Sequence, residues 1–328
     1  MDRPNLLAQT VDAIVDTAVE PYEIIIVDNN STTPEAVELL DIYDGYRAQV
    51  IRNQANLGLS VATNQGFNAA QFDCLIHMDD DCLVRHVGWN KVMEGYLDNP
   101  KIGMVVPYRT PLSIQQDGYR EITWGLGMVW AIRRSLFEDI GGYDPQLLHQ
   151  NECDMALRVR LAGLHVAAIE DFTPIHNDPN TTRSEMAVMR EHLGCVQFRD
   201  KWTSYFRGRA WNYGTDPVYL MQHWPPDQEF FQRFAEANGV ILNPAPDTVP
   251  LSVEQWDSHA NSTASLVHVA GDKYLVAREL RNNYAHWEHR INPELYSRDR
   301  DMIIERWFQA TGERYEGYRW PVNLLRPY

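Results

Sequence analysis

Over the first two hundred residues, short β-rich runs alternate with segments of helical spacing, and that alternation leaves few folds open. Chains patterned this way build a mainly parallel sheet with helices packed on its faces. Glu23–Val27 is an apolar, β-branched run that stops at the turn-forming residues Asp28-Asn29-Asn30-Ser31. Cys74–Met78 repeats the layout and stops at Asp79-Asp80-Asp81, while Ile102–Val106, Met128–Ile132 and Leu164–Ile169 supply further strands. Helices are expected over Leu6–Val15, Leu59–Ala70, Trp89–Leu97, Arg134–Ile140, Asn151–Ala162 and Thr181–Trp202, with stops at Asp98-Asn99-Pro100, Gly141-Gly142 and Gly163. Ligands of open α/β sheets lie beyond the carboxyl ends of the strands, so both acidic turns fall where chemistry is expected.

The 328 residues suffice for two domains, or one large domain with an appendage. We divide them into a catalytic α/β domain over 1–205 and an accessory region over 206–328, for acceptor binding or oligomerisation. Beyond Phe206 the chain becomes aromatic-rich and irregular, with Pro225-Pro226 and a Pro-rich break over Asn243–Pro250. Helical patterns recur there at Asp227–Asn238, Lys273–His289 and Asp299–Thr311, so the extension is expected to be mostly helical.

Forty-five acidic against 29 basic residues leave a net charge of −16, which disfavours a broad grip on nucleic acid or anionic lipid. Cys74, Cys82, Cys153 and Cys195 form no C-x-x-C pair, so reduced thiols are expected rather than a disulfide framework or a zinc site. No run approaches the roughly 18 apolar residues of a membrane span, and Met1-Asp2-Arg3-Pro4 opens no secretory pattern. The expected location is the cytoplasm.

Asp79-Asp80-Asp81 carries the most chemical information. Three carboxylates at a strand end repel one another unless water or a hard cation screens them, and a divalent metal is a natural partner. Taken alone, such a triplet is more often a solvated turn. His176, in Pro174-Ile175-His176-Asn177, adds an imidazole to the oxygen ligands, a mixed set that suits Mn²⁺ at least as well as Mg²⁺.

The order of the pieces is more specific than any one of them. Strand-Asp28, Asn56-Leu57-Gly58 with Asn64-Gln65-Gly66, Asp79-Asp80-Asp81, Gly141-Gly142-Tyr143-Asp144 and Asn151-Glu152-Cys153-Asp154 precede Arg158, Gly163 and His176. With Phe198-Arg199-Asp200-Lys201-Trp202 behind it, this set resembles the GT-A family 2 glycosyltransferases over Met1–Trp202. Nothing past Phe206 carries the resemblance. Two features depart from the family: its usual first strand is missing, the chain entering the first helix from the turn Asp2-Arg3-Pro4, and Asn151-Glu152 stands where Glu-Asp is usual.

The resemblance implies a Rossmann-like GT-A domain that moves a sugar, with inversion, from a nucleoside-diphosphate sugar, a UDP-sugar foremost, to an acceptor hydroxyl. It implies Mn²⁺ or Mg²⁺ held by Asp79, Asp81 and His176, with Asp81 the main ligand. Asp28 would bind the base, Asn56, Gly58 and Asn64 would line the donor, and Asp79 and Asp80 would face its ribose or the metal. Glu152 aligns with the family's catalytic base, and a helix N-terminus favours its ionised form. Asp154 is the second candidate base, although its place four residues before Arg158 equally makes an ion pair. Trp124, in Trp124-Gly125-Leu126-Gly127-Met128, would stack on a sugar, and Arg183 would reach the diphosphate. The acceptor, whether glycan, lipid-linked sugar, protein or small molecule, is not readable. Two alternatives stand beside this reading. One is nucleotidyl transfer, weakened by the lack of a Gly-rich loop with a lysine; the other is a non-catalytic carbohydrate- or partner-binding protein on a degenerate GT-A fold.

Overall fold

The computed structural model describes residues 2–107, 113–122, 127–177, 185–206, 233, 236, 237, 240–242, 267–269 and 293–319. Trp124 and Arg183 lie outside the described residues, as do Lys273–His289 and most of Asp227–Asn238. The chain divides into two compact units, Met1–Arg109 with Trp124–Phe198 and Arg319–Tyr328, and Thr110–Thr123 with Arg199–Tyr318.

The first unit opens on helix α1 (Pro4–Thr17), two residues longer at each end than its apolar spacing predicts, because Pro4 sits at the first helical position, where a fixed φ and a missing N–H cost nothing. Strand β1 (Ile25–Asp28) pairs in parallel with β2 (Gln49–Arg52), forming a two-stranded sheet of their own. Between them runs α2 (Pro34–Tyr43). The Asp2 carboxylate accepts the Thr32 and Thr33 N–H groups at 2.7 and 2.8 Å, which holds it below the usual carboxylate range and anchors the chain start at the α2 N-terminus. Helix α3 (Leu59–Ala69) lies against β1, and a Cβ at Gly66 would stand 3.3 Å from the Val27 side chain. That close approach is what Gly66 permits.

Strand β3 (Cys74–Met78) ends in the acidic turn and is followed by β4 (Cys82–Leu83), α4 (Trp89–Leu97) and β5 (Ile102–Pro107). In the second unit, β6 (Ile114–Gln115) pairs antiparallel with β7 (Arg120–Ile122). Back in the first unit follow β8 (Val129–Arg133), α5 (Arg134–Asp139), α6 (Asn151–Leu161), β9 (His165–Ile169) and β10 (Ile175–His176). The main strands lie in the order β3-β8-β5-β9. β5 and β9 run parallel, but β8 runs against both β3 and β5, so the sheet is mixed where mainly parallel pairing was expected. Val129, Trp130, Ala131 and Ile132 are all buried, and a strand buried on both faces reads as one apolar run whatever its direction.

All six residues of β5 are buried, and α6 packs so tightly there that a Cβ at Gly103 would come within 2.5 Å of Val159. Trp130 centres an aromatic cluster, with Phe67 edge-on at 5.5 Å, Tyr143 tilted at 5.4 Å and His77 stacked at 5.4 Å. Burying the Phe67 ring contributes roughly 1.5–3 kcal/mol. Burial also pushes the thiols of Cys74 and Cys82 up to about 12, so they act as packing groups.

Helix α7 (Glu185–Phe206), β11 (Val240–Leu242), β12 (Val267–Val269) and α8 (Pro293–Thr311) complete the described elements. In the second unit β11 and β12 pair antiparallel, a strand pair that the helical expectation for the extension did not include. Asp200 there takes Arg300 at 2.8 Å and the Tyr315 hydroxyl at 3.1 Å, while Arg233 forks onto Glu121 at 2.6 and 2.7 Å. Among the described residues, no helix is long and apolar enough to cross a membrane.

Candidate active site

The acidic turn folds back on itself, Cys82 N–H donating to the Asp79 carbonyl at 3.2 Å, and is tied to β8 through Asp79 N–H and the Met128 carbonyl at 2.9 Å. Its three carboxylates meet different partners. Asp79 Oδ1 lies 3.0 Å from His77 Nε2, two residues back on the same face of β3 and held flat against Trp130. Arg3 bridges the other two, donating to Asp80 Oδ1 and, at 2.7 Å, to Asp81 Oδ2. Burial raises Asp80 above its usual range, an effect that Arg3 opposes.

Asp81 Oδ1 is buried with no hydrogen-bond partner and faces His176 Nε2 at 3.5 Å. The fold brings these two together through β10, which pairs antiparallel with β4 and sets His176 opposite Cys82. Asn177 fixes the register, its N–H donating to the Asp81 carbonyl at 2.7 Å and its side-chain amide to Gln9 of α1 at 2.9 Å. A buried carboxylate oxygen without a donor is costly unless a cation meets it. Asp81 and His176 therefore fit a divalent ion. Among the described residues, no group of three or more His, Cys, Asp or Glu side chains is arranged as a metal cage.

Glu152 stands in the first turn of α6 with its carboxyl packed on Gly127, where a Cβ would fall 2.5 Å from Glu152 Cδ. Burial raises its pKa; the charge of Asp79 raises it further, while His77 and the hydroxyl of Tyr143 pull it down. The structure thus brings Glu152, Asp79, His77 and Tyr143 to one place at the end of β3. Asp154 goes elsewhere: it is fully buried against Arg158, whose Nε donates to it at 2.9 Å and whose Nη1 donates to the Ile140 carbonyl at 2.7 Å. Two positions along a helix point to different faces, and the interior pair takes the second carboxylate.

The remaining candidates cluster at the end of β1. Asp28 is buried and accepts the Ser31 N–H at 3.0 Å and hydroxyl at 2.5 Å. Asn56 accepts the Gly58 N–H at 3.0 Å, closing the turn in which Gly58 adopts φ +84° before α3. Asn29, Asn53 and Gln65 brace that turn, Asn29 donating to the Gly58 carbonyl at 3.2 Å and Asn53 exchanging bonds of 2.8 and 2.9 Å with Gln65. Asn64 bonds both the N–H and the carbonyl of Tyr143, at 2.8 and 2.9 Å. It clamps the Gly142-Tyr143 turn and so sets Tyr143 beside Glu152.

Sequence reasoning gave no role to Arg3, His77, Gly127 or Tyr143. His77 was open to detection as a polar residue in an apolar strand, two before Asp79. Arg3 carries no local signal, because its carboxylate partners lie more than seventy residues away.

Residues 2–153 match the sequence model of glycosyl transferase family 2. The O-antigen biosynthesis protein RfbC of Myxococcus xanthus is 23% identical over 250 residues, which are 64% of this chain and 18% of that protein. A mannosyltransferase of Pyrobaculum calidifontis, solved in complex with GDP-Man and Mn²⁺, superposes with a TM-score of 0.50 at 16% identity, covering 95% of this chain and 85% of its own. GalNAc-T7, solved with UDP, GalNAc and Mn²⁺, gives a TM-score of 0.50 at 20% identity, covering 70% of this chain and 52% of that one. The chain thus spans about a fifth of the RfbC protein and half of GalNAc-T7. Match, motif order and mixed α/β architecture agree: residues 2–153 are similar in sequence to family 2 glycosyltransferases, and the chain shares the α/β fold of the two solved transferases.

Proposed function

We propose that the chain moves a sugar from a nucleoside-diphosphate sugar to an acceptor hydroxyl, with inversion, using Glu152 as general base. The observation that carries this reading is an acidic turn at the end of β3 whose Asp81 has an unpartnered buried oxygen facing His176 and whose Asp79 acts on the buried carboxyl of Glu152. Asp81 and His176 would hold Mn²⁺ or Mg²⁺, with Asp79 beside them toward the ribose or the metal. When bound, the cation neutralises the diphosphate and the charge that develops on the leaving nucleotide. Glu152 accepts the acceptor's proton as that oxygen bonds to the anomeric carbon and the carbon–diphosphate oxygen bond breaks. Asp28 and the braced Asn56–Gly58 turn would take the nucleoside, a UDP-sugar being the first donor to try. Neighbours solved with UDP and Mn²⁺ or with GDP-Man and Mn²⁺ support the donor class and leave its base open.

Calorimetric titration with UDP, GDP, CDP and dTDP, each with Mn²⁺ and again with excess chelator, tests the donor site. One diphosphate should bind with Mn²⁺ and lose most of its affinity in chelator. Binding by none of the four would remove the donor reading.

Gly127→Ala tests the base. The three nearest atoms that its Cβ would meet all belong to the flexible Glu152 side chain. The expected result is a base pushed out of line, with kcat reduced about 10²-fold and the unfolding temperature little changed. Unchanged kcat would show that the position of Glu152 does not matter.

A further inference from the structure

Arg3 occupies an unexpected place for a cation, on the carboxylates that the proposed function reserves for a metal. It is held there from both sides. Asp2 is anchored by Thr32, Thr33 and the Ser31 hydroxyl, the last accepting Asp2 N–H at 3.2 Å, and Pro4 starts α1 directly behind. Thr10 of α1 donates to the Asp80 carbonyl at 2.9 Å, fixing the acidic turn against the same helix. Arg3 Nη1 takes Asp81 Oδ2 at 2.7 Å while Asp81 Oδ1 is left facing His176, so the guanidinium both orients Asp81 and cancels part of its charge.

A divalent ion arriving alone meets that guanidinium as a like charge at close range. A diphosphate arriving with the ion changes the balance, because the planar fork of arginine matches phosphate oxygens as well as carboxylates. We propose that Arg3 is a counter-cation that makes metal binding contingent on the diphosphate: it sits on Asp80 and Asp81 in the free chain and passes to phosphate oxygens when a metal–diphosphate complex enters. The inference rests on the metal reading of Asp81 and His176. It makes Arg3 a specificity-determining residue that favours the diphosphate-bound ion over the bare one, and such coupling is reciprocal.

The probes are Mn²⁺ alone, followed by electron paramagnetic resonance, and a preformed Mn²⁺–pyrophosphate complex, followed by calorimetry. Arg3→Gln should bind Mn²⁺ alone about ten-fold more tightly than the wild type, because a repelling charge is gone, and the complex about ten-fold more weakly, because a phosphate partner is gone. Arg3→Lys keeps the charge without the fork, so it should bind bare Mn²⁺ as the wild type does and lose part of its affinity for the complex. Thermal melts of Arg3→Gln establish that the variant is folded, so that a gain in Mn²⁺ affinity reports the lost charge. Arg3→Gln shifts of the same sign for both probes, or none for bare Mn²⁺, overturn the proposal. Asp81→Asn in the same titration separates the causes. If it leaves Mn²⁺ binding intact, the metal reading fails and the role of Arg3 fails with it; if it removes binding while Arg3→Gln raises nothing, only the role of Arg3 fails.

Discussion

Replacing Glu152 by Gln is expected to reduce kcat by 10²–10⁴-fold, the range for losing a general base, and at the same time to raise the thermal stability of the metal-free chain at neutral pH. The second effect follows from the residue's environment. Burial, helped by the charge of Asp79, lifts the Glu152 pKa above its unfolded value. Between those two values the folded chain binds more protons than the unfolded one, so stability falls as pH rises through the window. Below the unfolded value Glu152 is neutral in both states and nothing is lost. Above the folded value the ionised, desolvated carboxylate opposes folding, and a neutral glutamine of nearly equal shape does not. Thermal melts of both chains should therefore coincide near pH 4 and separate at pH 7.5, with Glu152→Gln the more stable. In the active chain, the acid limb of kcat/KM should lie above the ordinary carboxylate range and vanish in the variant. A variant less stable at both pH values and still active would remove Glu152 from the reaction.

That pairing of lost activity with gained stability could not be derived from the sequence, although its location could. Glu152 and Asp154 were both visible as acids in the first turn of a helix, and spacing alone placed them on different faces. Which face turned inward depended on Arg158 and the Ile140 carbonyl, a buried pair on which periodicity is silent. Elements with a strong internal pattern were legible to the residue: β3 ends at the acidic triplet and α4 at Asp98-Asn99-Pro100, both where expected. β2 and α2 were missed: Gln49-Val50-Ile51-Arg52 offers only two apolar residues, and the buried stripe of α2, Ala36, Leu40 and Tyr43, was passed over in the sequence. β10 spans only two residues, and its pairing with β4, which sets His176 beside Asp81, was accessible only through the family resemblance. The bonds from Arg3 to Asp80 and Asp81 join residues that no local rule relates.

The largest change in metal binding should come from Asp81→Asn. The Asp81 side chain is 7% exposed, and its two oxygens face different groups, Arg3 at 2.7 Å and His176 at 3.5 Å. Asparagine keeps the shape but lacks the negative charge, and a neutral amide is a poor match for a hard divalent ion. Mn²⁺ affinity should fall at least about 10²-fold, and transfer by about 10²–10³-fold, the usual cost of removing one group that stabilises charge in the transition state. Folding should suffer little, because Arg3 keeps Asp80 as a partner and the unbonded oxygen of Asp81 contributes no hydrogen bond in the free chain. His176→Ala should have a smaller effect, since that side chain is 46% exposed and water can replace it. The clearest readout is thermal. Mn²⁺ with the nucleoside diphosphate stabilises whatever binds it, by an amount set by ligand concentration over Kd, so the wild type should melt higher with the pair and return to its basal value in chelator. Asp81→Asn should melt at the same temperature in both. A variant that keeps the Mn²⁺-dependent shift and full donor-dependent transfer would take the metal away from Asp81 and leave the acidic turn as a structural partner of Arg3.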